Sequence, residues 1–399
     1  MNRLHPMACI ASALLALALS TSAGAQSINS SRTPNLPDRG AMVRPPKVGD
    51  VVPTGGIDLA AEISCNAAQA YPWAAAYSEN SNALYVSMFG GFVGSGGCEV
   101  LRLDANSGAI QARISVDEGP EELALRTDAQ GNVLQGFVTC SGGSSLVVFD
   151  GADQSLTSIA LPPDPNNSYP TAFPFGVQVD EARGIVWVGA NDSSGRIFAI
   201  DIPTLSLDLG RSLQLGNSRS VARFTLDQGR LIVPTRRFTP GFTGSITELV
   251  LIDPDSPAPP DVIFLASADN IGLYPSAETA LVTPDGRALV SGYDMGAFVY
   301  VIDIASLTTL APIPTHTGQT LGKFQSMALS NDGLLVVVDQ WTSELARINS
   351  HDGSLIGITQ ATDLVGFHQA PNAAVFRPDG NELILVESGS SSLARLAVQ

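Results

Sequence analysis

The chain has 399 residues, 44 % of them hydrophobic and only 15 % charged, with a formal charge of −17. It is too apolar to stay disordered and long enough to bury a large core. With 21 Lys and Arg against 38 Asp and Glu it offers no broad basic face, so nucleic acid is not an expected partner.

The chain opens on a targeting pattern. Arg3 gives a positive start, Ala8–Leu19 is an apolar run too short to span a bilayer, and Ala23-Gly24-Ala25 has the small-x-small form of a signal-peptidase site. Residues 1–25 are therefore predicted to be a cleaved signal peptide. The mature chain is expected in the periplasm or the extracellular space, with no transmembrane segment. Residues 26–56 are rich in Pro, Ser and Asn, lack apolar periodicity and read as a flexible tether. Cleavage removes Cys9 and leaves Cys65, Cys98 and Cys140. In an oxidising compartment one disulfide is expected to involve Cys98, with Cys140 or Cys65 as its partner.

The rest of the chain is a repeat. Short apolar runs alternate with turns of Asp/Asn/Gly type, at Asn80-Ser81-Asn82, Asp128–Gly131, Asp180–Gly184 and Asp227-Gln228-Gly229. The turns recur at Pro284-Asp285-Gly286, Asn331-Asp332-Gly333 and Pro378-Asp379-Gly380. A second run in each unit ends on an acid or amide, at Asp104, Asp150, Asp201, Asp253, Asp303 and Asn349, in steps of 46, 51, 52, 50 and 46 residues. A period near 50 with β-branched runs and no sustained helical pattern marks propeller blades of four antiparallel strands, A to D. The recurring Asp starts the C–D turn, where its side chain can accept backbone N–H bonds, so it reads as structural. Seven A–B turns but six complete C–D units leave one outer strand missing. Ile57–Ser64 (IDLAAEIS) has strand character and is expected to fill that place. The prediction is an all-β, seven-bladed β-propeller over residues 57–399, closed by an N-terminal strand; eight blades, or six with a stray unit, are the alternatives.

The pattern of apolar strand, Gly/Ser loop, V-x-x-I-D, variable strand and P-D-G turn in Ala288–Asp303, Ala328–Asn349 and Pro371–Val386 resembles the YVTN-type repeat family. That family sits near the NHL-repeat and lactonase-like propellers. The resemblance covers about Tyr71–Gln399 and speaks to fold more than to function, because propellers host binding scaffolds and enzymes alike.

In a propeller the B–C and D–A loops share one face, and the unusual polar residues of this sequence gather there. Arg236 and Arg237 fall in the expected B–C loop of blade 4, Pro234–Ser245, where two guanidinium forks could clamp a carboxylate or other anion. Tyr293 and Asp294 lie on blade 5 and Trp341 on blade 6; Trp341 could be a platform for a sugar ring. The D–A loops add Glu121-Glu122, His316 and His368. Lactonase-like propellers hold a divalent metal such as calcium at the channel mouth with Glu, Asn and Asp. Glu121, Asn191, Asp192, Asp339 and Glu387 are residues of the right type, although no ordered motif matches one to one. No GxSxG elbow, HExxH, P-loop or dinucleotide fingerprint is present. The sequence thus favours an exported, monomeric binding module for a small molecule, glycan or protein. The alternative is a metal-dependent lactonase- or esterase-like hydrolase.

Overall fold

The computed structural model describes residues 51–399 except 64, 66, 68, 91–95, 165–170, 193, 217–218, 240–243, 270–274, 294, 297, 316–324, 341 and 361–370. The expected signal peptide, most of the expected tether, Asp294, His316, Trp341 and His368 lie outside the described residues.

Among the described residues, thirty strands form seven antiparallel sheets. Strand β1 (Val51–Asp58) comes first in the chain but belongs to the last blade. Blade 1 runs from inner to outer edge as β2 (Pro72–Tyr77), β3 (Ala83–Met88), β4 (Glu99–Asp104) and β5 (Ile110–Ser115). Blade 2 is β6 (Pro120–Thr127), β7 (Val133–Cys140), β8 (Ser145–Asp150) and β9 (Leu156–Ala160). Blade 3 is β10 (Pro174–Asp180), β11 (Ile185–Ala190), β12 (Arg196–Asp201) and β13 (Ser206–Gln214). Blade 4 has a broken inner strand, β14 (Arg219–Val221) and β15 (Thr225–Asp227), followed by β16 (Arg230–Phe238), β17 (Gly244–Ile252) and β18 (Asp261–Asp269). Blade 5 is β19 (Ser276–Val282), β20 (Arg287–Tyr293) and β21 (Phe298–Asp303), with an outer edge split into β22 (Thr308–Thr309) and β23 (Ile313–Pro314). Blade 6 is β24 (Gln325–Leu329), β25 (Leu334–Asp339), β26 (Glu344–Asn349) and β27 (Leu355–Gln360). Blade 7 is β28 (Pro371–Phe376), β29 (Glu382–Glu387), β30 (Ser392–Val398) and β1. Inner strands of successive blades touch all the way round, from β2 through β28 and back to β2. The fold is the predicted seven-bladed β-propeller.

The packing explains the apolar runs. Each second strand has a blade on both faces, so β3, β11, β25 and β29 are buried at every position and carry no polar alternation. Outer strands face solvent, and β5 and β9 bury only Ile114 and Ile159 fully. Core clusters lie between blades: Val186, Val188 and Ile200 of blade 3 pack on Phe137 and Leu146 of blade 2. Each such buried side chain contributes roughly 1.5–3 kcal/mol.

The C–D turns behave as their sequence demands. Asp104 accepts N–H bonds from Asn106 and Ser107 (3.1 and 2.8 Å), and Asp303 from Ala305 and Ser306 (both 2.9 Å). These bonds favour the ionised carboxylate and hold Asp104, Asp201 and Asp303 below the usual range, chiefly through the Ser107, Thr204 and Ser306 donors respectively.

Closure by an N-terminal strand holds, but the strand lies at Val51–Asp58, six residues before the expected Ile57–Ser64. It pairs β30 from Val51↔Val398 to Asp58↔Ser392, with a bulge between Pro53 and Gly55. Val51 is buried with Leu383 and Leu396 of blade 7, and Ile57 packs on the cluster shared by blades 7 and 1. After Asp58 the chain turns, with Ala60 N–H bonded to the Asp58 carboxylate at 2.8 Å. A polar clamp joins the last blade to the first. Glu382 of blade 7 accepts the Tyr77 hydroxyl of blade 1 and Arg395 Nε, both at 2.7 Å. Arg395 also donates to the Ala105 carbonyl at 2.9 Å. Cys65 and Cys98 form the disulfide, with Cα atoms 5.8 Å apart, and Cys140 is a buried free thiol.

Candidate functional site at the channel mouth

The inner strands begin irregularly at the loop end. The ladders skip register between Pro72 and Ala75, Pro120 and Leu123, Pro174 and Val177, Ala277 and Thr279, and Pro371 and Ala373. Proline is tolerated at the first residue of a strand because no ladder donor is needed there. A bulge re-aims the side chains that it carries. Among the residues so displaced are Trp73, Glu121, Glu122, Phe175, Glu278 and Asn372.

Several of them meet. Glu122 of blade 2 pairs with Arg223 of blade 4. Blade 3 lies between those blades, so the two groups can reach each other only across its inner edge, in the central channel. There the Arg223 guanidinium sits 5.0 Å from the centroid of the Phe175 ring. Arg223 follows β14, where the break in the inner strand lets its backbone bridge to Thr279 of blade 5. Its N–H bonds the Glu278 carbonyl at 3.1 Å.

The electrostatics tie blade 5 to the same point. Glu121 is 7 % exposed, and its carboxyl is pushed up from 4.5 to about 8. Burial is the main cause; the Ser141 hydrogen bond and Arg223 oppose it, and the Glu122 and Glu278 charges add to it. Burial raises Glu278 too, against the charges of Arg236 and Arg223 and a Ser276 hydrogen bond. Three carboxyls and two guanidiniums from blades 2, 4 and 5 thus share one end of the channel. Among the described residues, four buried donors at the loop ends of blades 1, 4 and 7 have no hydrogen-bond partner: Trp73 Nε1, Arg223 Nη2, Arg236 Nε and Asn372 Nδ2. Asn372 is fully buried, and its Oδ1 accepts the Gln340 amide. Trp73 lies against Tyr71 and Phe89, with ring centroids 6.0 and 4.9 Å away.

The two arginines of the expected clamp lie on opposite faces of one strand. Arg236 and Arg237 lie inside β16, not in a loop, opposite Thr247 and Ile246 of β17. Successive residues of a strand point to opposite faces. Arg236 is 8 % exposed and lies 4.7 Å from the centroid of the Phe238 ring, on the side of blade 5. Arg237 turns to the other face, where it and Arg219 share Glu248 at 3.2 and 2.9 Å. Arg236 therefore joins the channel group and Arg237 does not. Tyr293 ends β20 opposite Ser276, at the loop end of blade 5.

The residues expected to hold a metal occupy the same end but have separate engagements. Asp192 accepts Arg196 Nε and Ser194 N–H, both at 2.8 Å. Burial nevertheless raises its carboxyl, with Arg196 opposing. Asn191 follows β11 and donates its backbone N–H to the Phe173 carbonyl at 2.8 Å. Asp339 accepts the Thr342 N–H at 3.1 Å, and Glu387 accepts the hydroxyls of Ser390 and Ser392, also at 3.1 Å. Among the described residues no three His, Cys, Asp or Glu side chains are grouped to hold a metal ion.

Trp73, Arg223, Glu278 and Asn372 are not conspicuous in the sequence. The signal that marks the position is Pro-x at the start of an inner strand: Pro72-Trp73, Pro120-Glu121, Pro174-Phe175 and Pro371-Asn372. Two open hollows of about 250 and 240 Å3 lie at the opposite, turn end, lined partly by Pro284 and Gly286 and by Pro312 and Gly353 respectively. The second is also lined by Arg287, His351 and Asp352.

No protein-family model and no curated protein matches this sequence. Solved structures share its fold. A chain of Kuenenia stuttgartiensis hydrazine synthase superposes with a TM-score of 0.62 at 15 % identity, covering 84 % of this chain and 98 % of that one. A chain from the crystal structure of the mitotic checkpoint complex superposes with a TM-score of 0.58 at 13 % identity, covering 94 % and 98 %.

Proposed function

We propose that the protein is an exported binding module whose ligand enters the loop end of the propeller channel. The observation that carries this reading is the meeting of Glu121, Glu122, Arg223, Arg236 and Glu278 from three blades, beside four buried donors without partners. Unpaired buried polar groups cost about 1–3 kcal/mol each, so the unpaired donors at the loop ends of blades 1, 4 and 7 support a ligand that pairs them. Export is supported by the leader-like first 25 residues and by the Cys65–Cys98 disulfide, which suits an oxidising compartment. No helix among the described residues is long and apolar enough to cross a membrane.

The test is a thermal-shift survey of sugars, carboxylic acids, amines and short peptides on the mature chain. Any binder should lose its effect in a folded Glu122→Gln/Arg223→Gln protein and keep it in Asp104→Ala, on the turn end. Binders indifferent to the channel substitutions would place the site elsewhere.

A further inference from the structure

We propose that the ligand is a neutral, polyhydroxylated molecule of the saccharide class, seated on Trp73 and hydrogen-bonded by the channel carboxyl groups and the unpaired donors. This inference rests on the channel reading above and adds the chemistry of the occupant.

Three features of the site select that chemistry. The first is mixed hydrogen bonding. A hydroxyl donates once and accepts through two lone pairs, so a ring of hydroxyls needs acceptors and donors side by side. The mouth has the carboxyl of Glu121, the carboxylates of Glu122 and Glu278, and, among the described residues, unpaired donors at Trp73, Arg223, Arg236 and Asn372.

The second is charge balance. Glu122 is paired with Arg223, Arg236 offsets Glu278, and Glu121 holds its proton at neutral pH. The group as a whole is close to neutral. A carboxylate ligand would add an unmatched negative charge beside three carboxyls, inside a chain of net charge −17. An amine would find the carboxylates already matched. Either ion would lose its hydration without a free counter-charge, whereas a neutral polyol avoids that penalty.

The third is the aromatic surface. Tyr71, Trp73 and Phe89 pack together at the mouth of blade 1, and Trp73 is only partly buried. An aromatic ring with a polar tip offers an apolar face to the C–H side of a sugar while its N–H reaches a hydroxyl.

The experiment is isothermal titration of the mature chain with maltose, cellobiose and N,N′-diacetylchitobiose as neutral probes. Galacturonate, glucosamine and glutamate serve as charged ones. The proposal expects at least one neutral disaccharide to bind about tenfold or more tightly than every charged probe, a difference of about 1.4 kcal/mol. Its affinity should stay nearly constant between about 50 and 500 mM salt, because no net charge is neutralised. Trp73→Ala and Asn372→Ala should each weaken it about tenfold or more, and Arg237→Ala should leave it unchanged. Where Trp73→Ala does not fold, Trp73→Phe removes the indole N–H while keeping a ring against Tyr71 and Phe89. Failure of all three neutral probes overturns the saccharide assignment. If charged probes bind and Trp73 or Asn372 substitution abolishes that binding, the assignment falls while the channel site stands. Neutral binding that ignores both substitutions overturns the assignment and the channel site together.

Discussion

Glu121→Gln should stabilise the protein in alkali and leave it unchanged in acid. The Glu121 carboxyl is buried beside Glu122 and Glu278, which raises it from 4.5 to about 8. In the unfolded chain it ionises near its ordinary value; in the folded chain it keeps its proton until about 8. Below about pH 4.5 both states are protonated, and the contribution to stability is fully present. As pH rises the unfolded state releases its proton first, so stability falls, and the loss is complete above about pH 8. At about 1.4 kcal/mol per pH unit the gap gives a ceiling of roughly 5 kcal/mol. Water penetration and relaxation around the buried carboxylate reduce that, and we expect about 2 kcal/mol at pH 8.5. Glutamine keeps the shape of the side chain and a carbonyl to accept from Ser141, but never carries the charge. For a domain of this size, about 2 kcal/mol is a rise in Tm of about 3 °C. Urea melts of both proteins at about pH 4.5 and 8.5 measure it. An equal difference at the two pH values would refute the argument, because a packing effect does not depend on protonation.

The remaining predictions concern the frame. Deleting Val51–Asp58 removes the outer strand of blade 7 and exposes β30, so the protein should aggregate or lose several kcal/mol in denaturant melts; a soluble, equally stable product would contradict the closure. Cys65→Ser should cost about 3–4 kcal/mol under oxidising conditions, from the 33-residue separation that the disulfide spans, and nothing under reducing ones. Arg236→Ala should destabilise by about 2 kcal/mol, because it takes the opposing charge from Glu278. Arg237→Ala should cost less than about 1 kcal/mol, since that side chain is 40 % exposed and Glu248 keeps Arg219. Melts showing the reverse order would undo the assignment of the two arginines to opposite faces.

What the sequence revealed follows from which interactions are local. The 46–52-residue steps, the Asp turns and the uniformly apolar second strands all arise within one blade, and each is visible as a pattern. The closing strand was harder to place. VVPTGGID contains Pro53 and two glycines and looks like tether, yet an outer-edge strand tolerates Pro, and the bulge at Pro53/Gly55 absorbs the irregularity. The Pro and Gly of PTRRFTPGFTGS similarly suggested a loop. There β16 and β17, at nine residues each, carry the ladder through both arginines. Cys98 had two candidate partners; Cys140 is turned into the core between blades 1 and 2, with Tyr85 and Val138, which leaves Cys65. The channel group was illegible because it is assembled by ring closure. Glu122 and Arg223 are 101 residues apart, and neither belongs to a local motif.

The most direct test of the channel as the binding site uses the indole N–H signals in 15N–1H NMR, since the chain has only three tryptophans. Trp187 is buried between blades 3 and 4 and bonded to Asp180 at 3.2 Å, while Trp73 Nε1 has no partner among the described residues. With the signals assigned by Trp73→Phe and Trp187→Phe, saturating ligand should move the Trp73 signal downfield as its N–H gains an acceptor and leave Trp187 in place. A Trp73 signal that stays fixed at saturation would contradict the account.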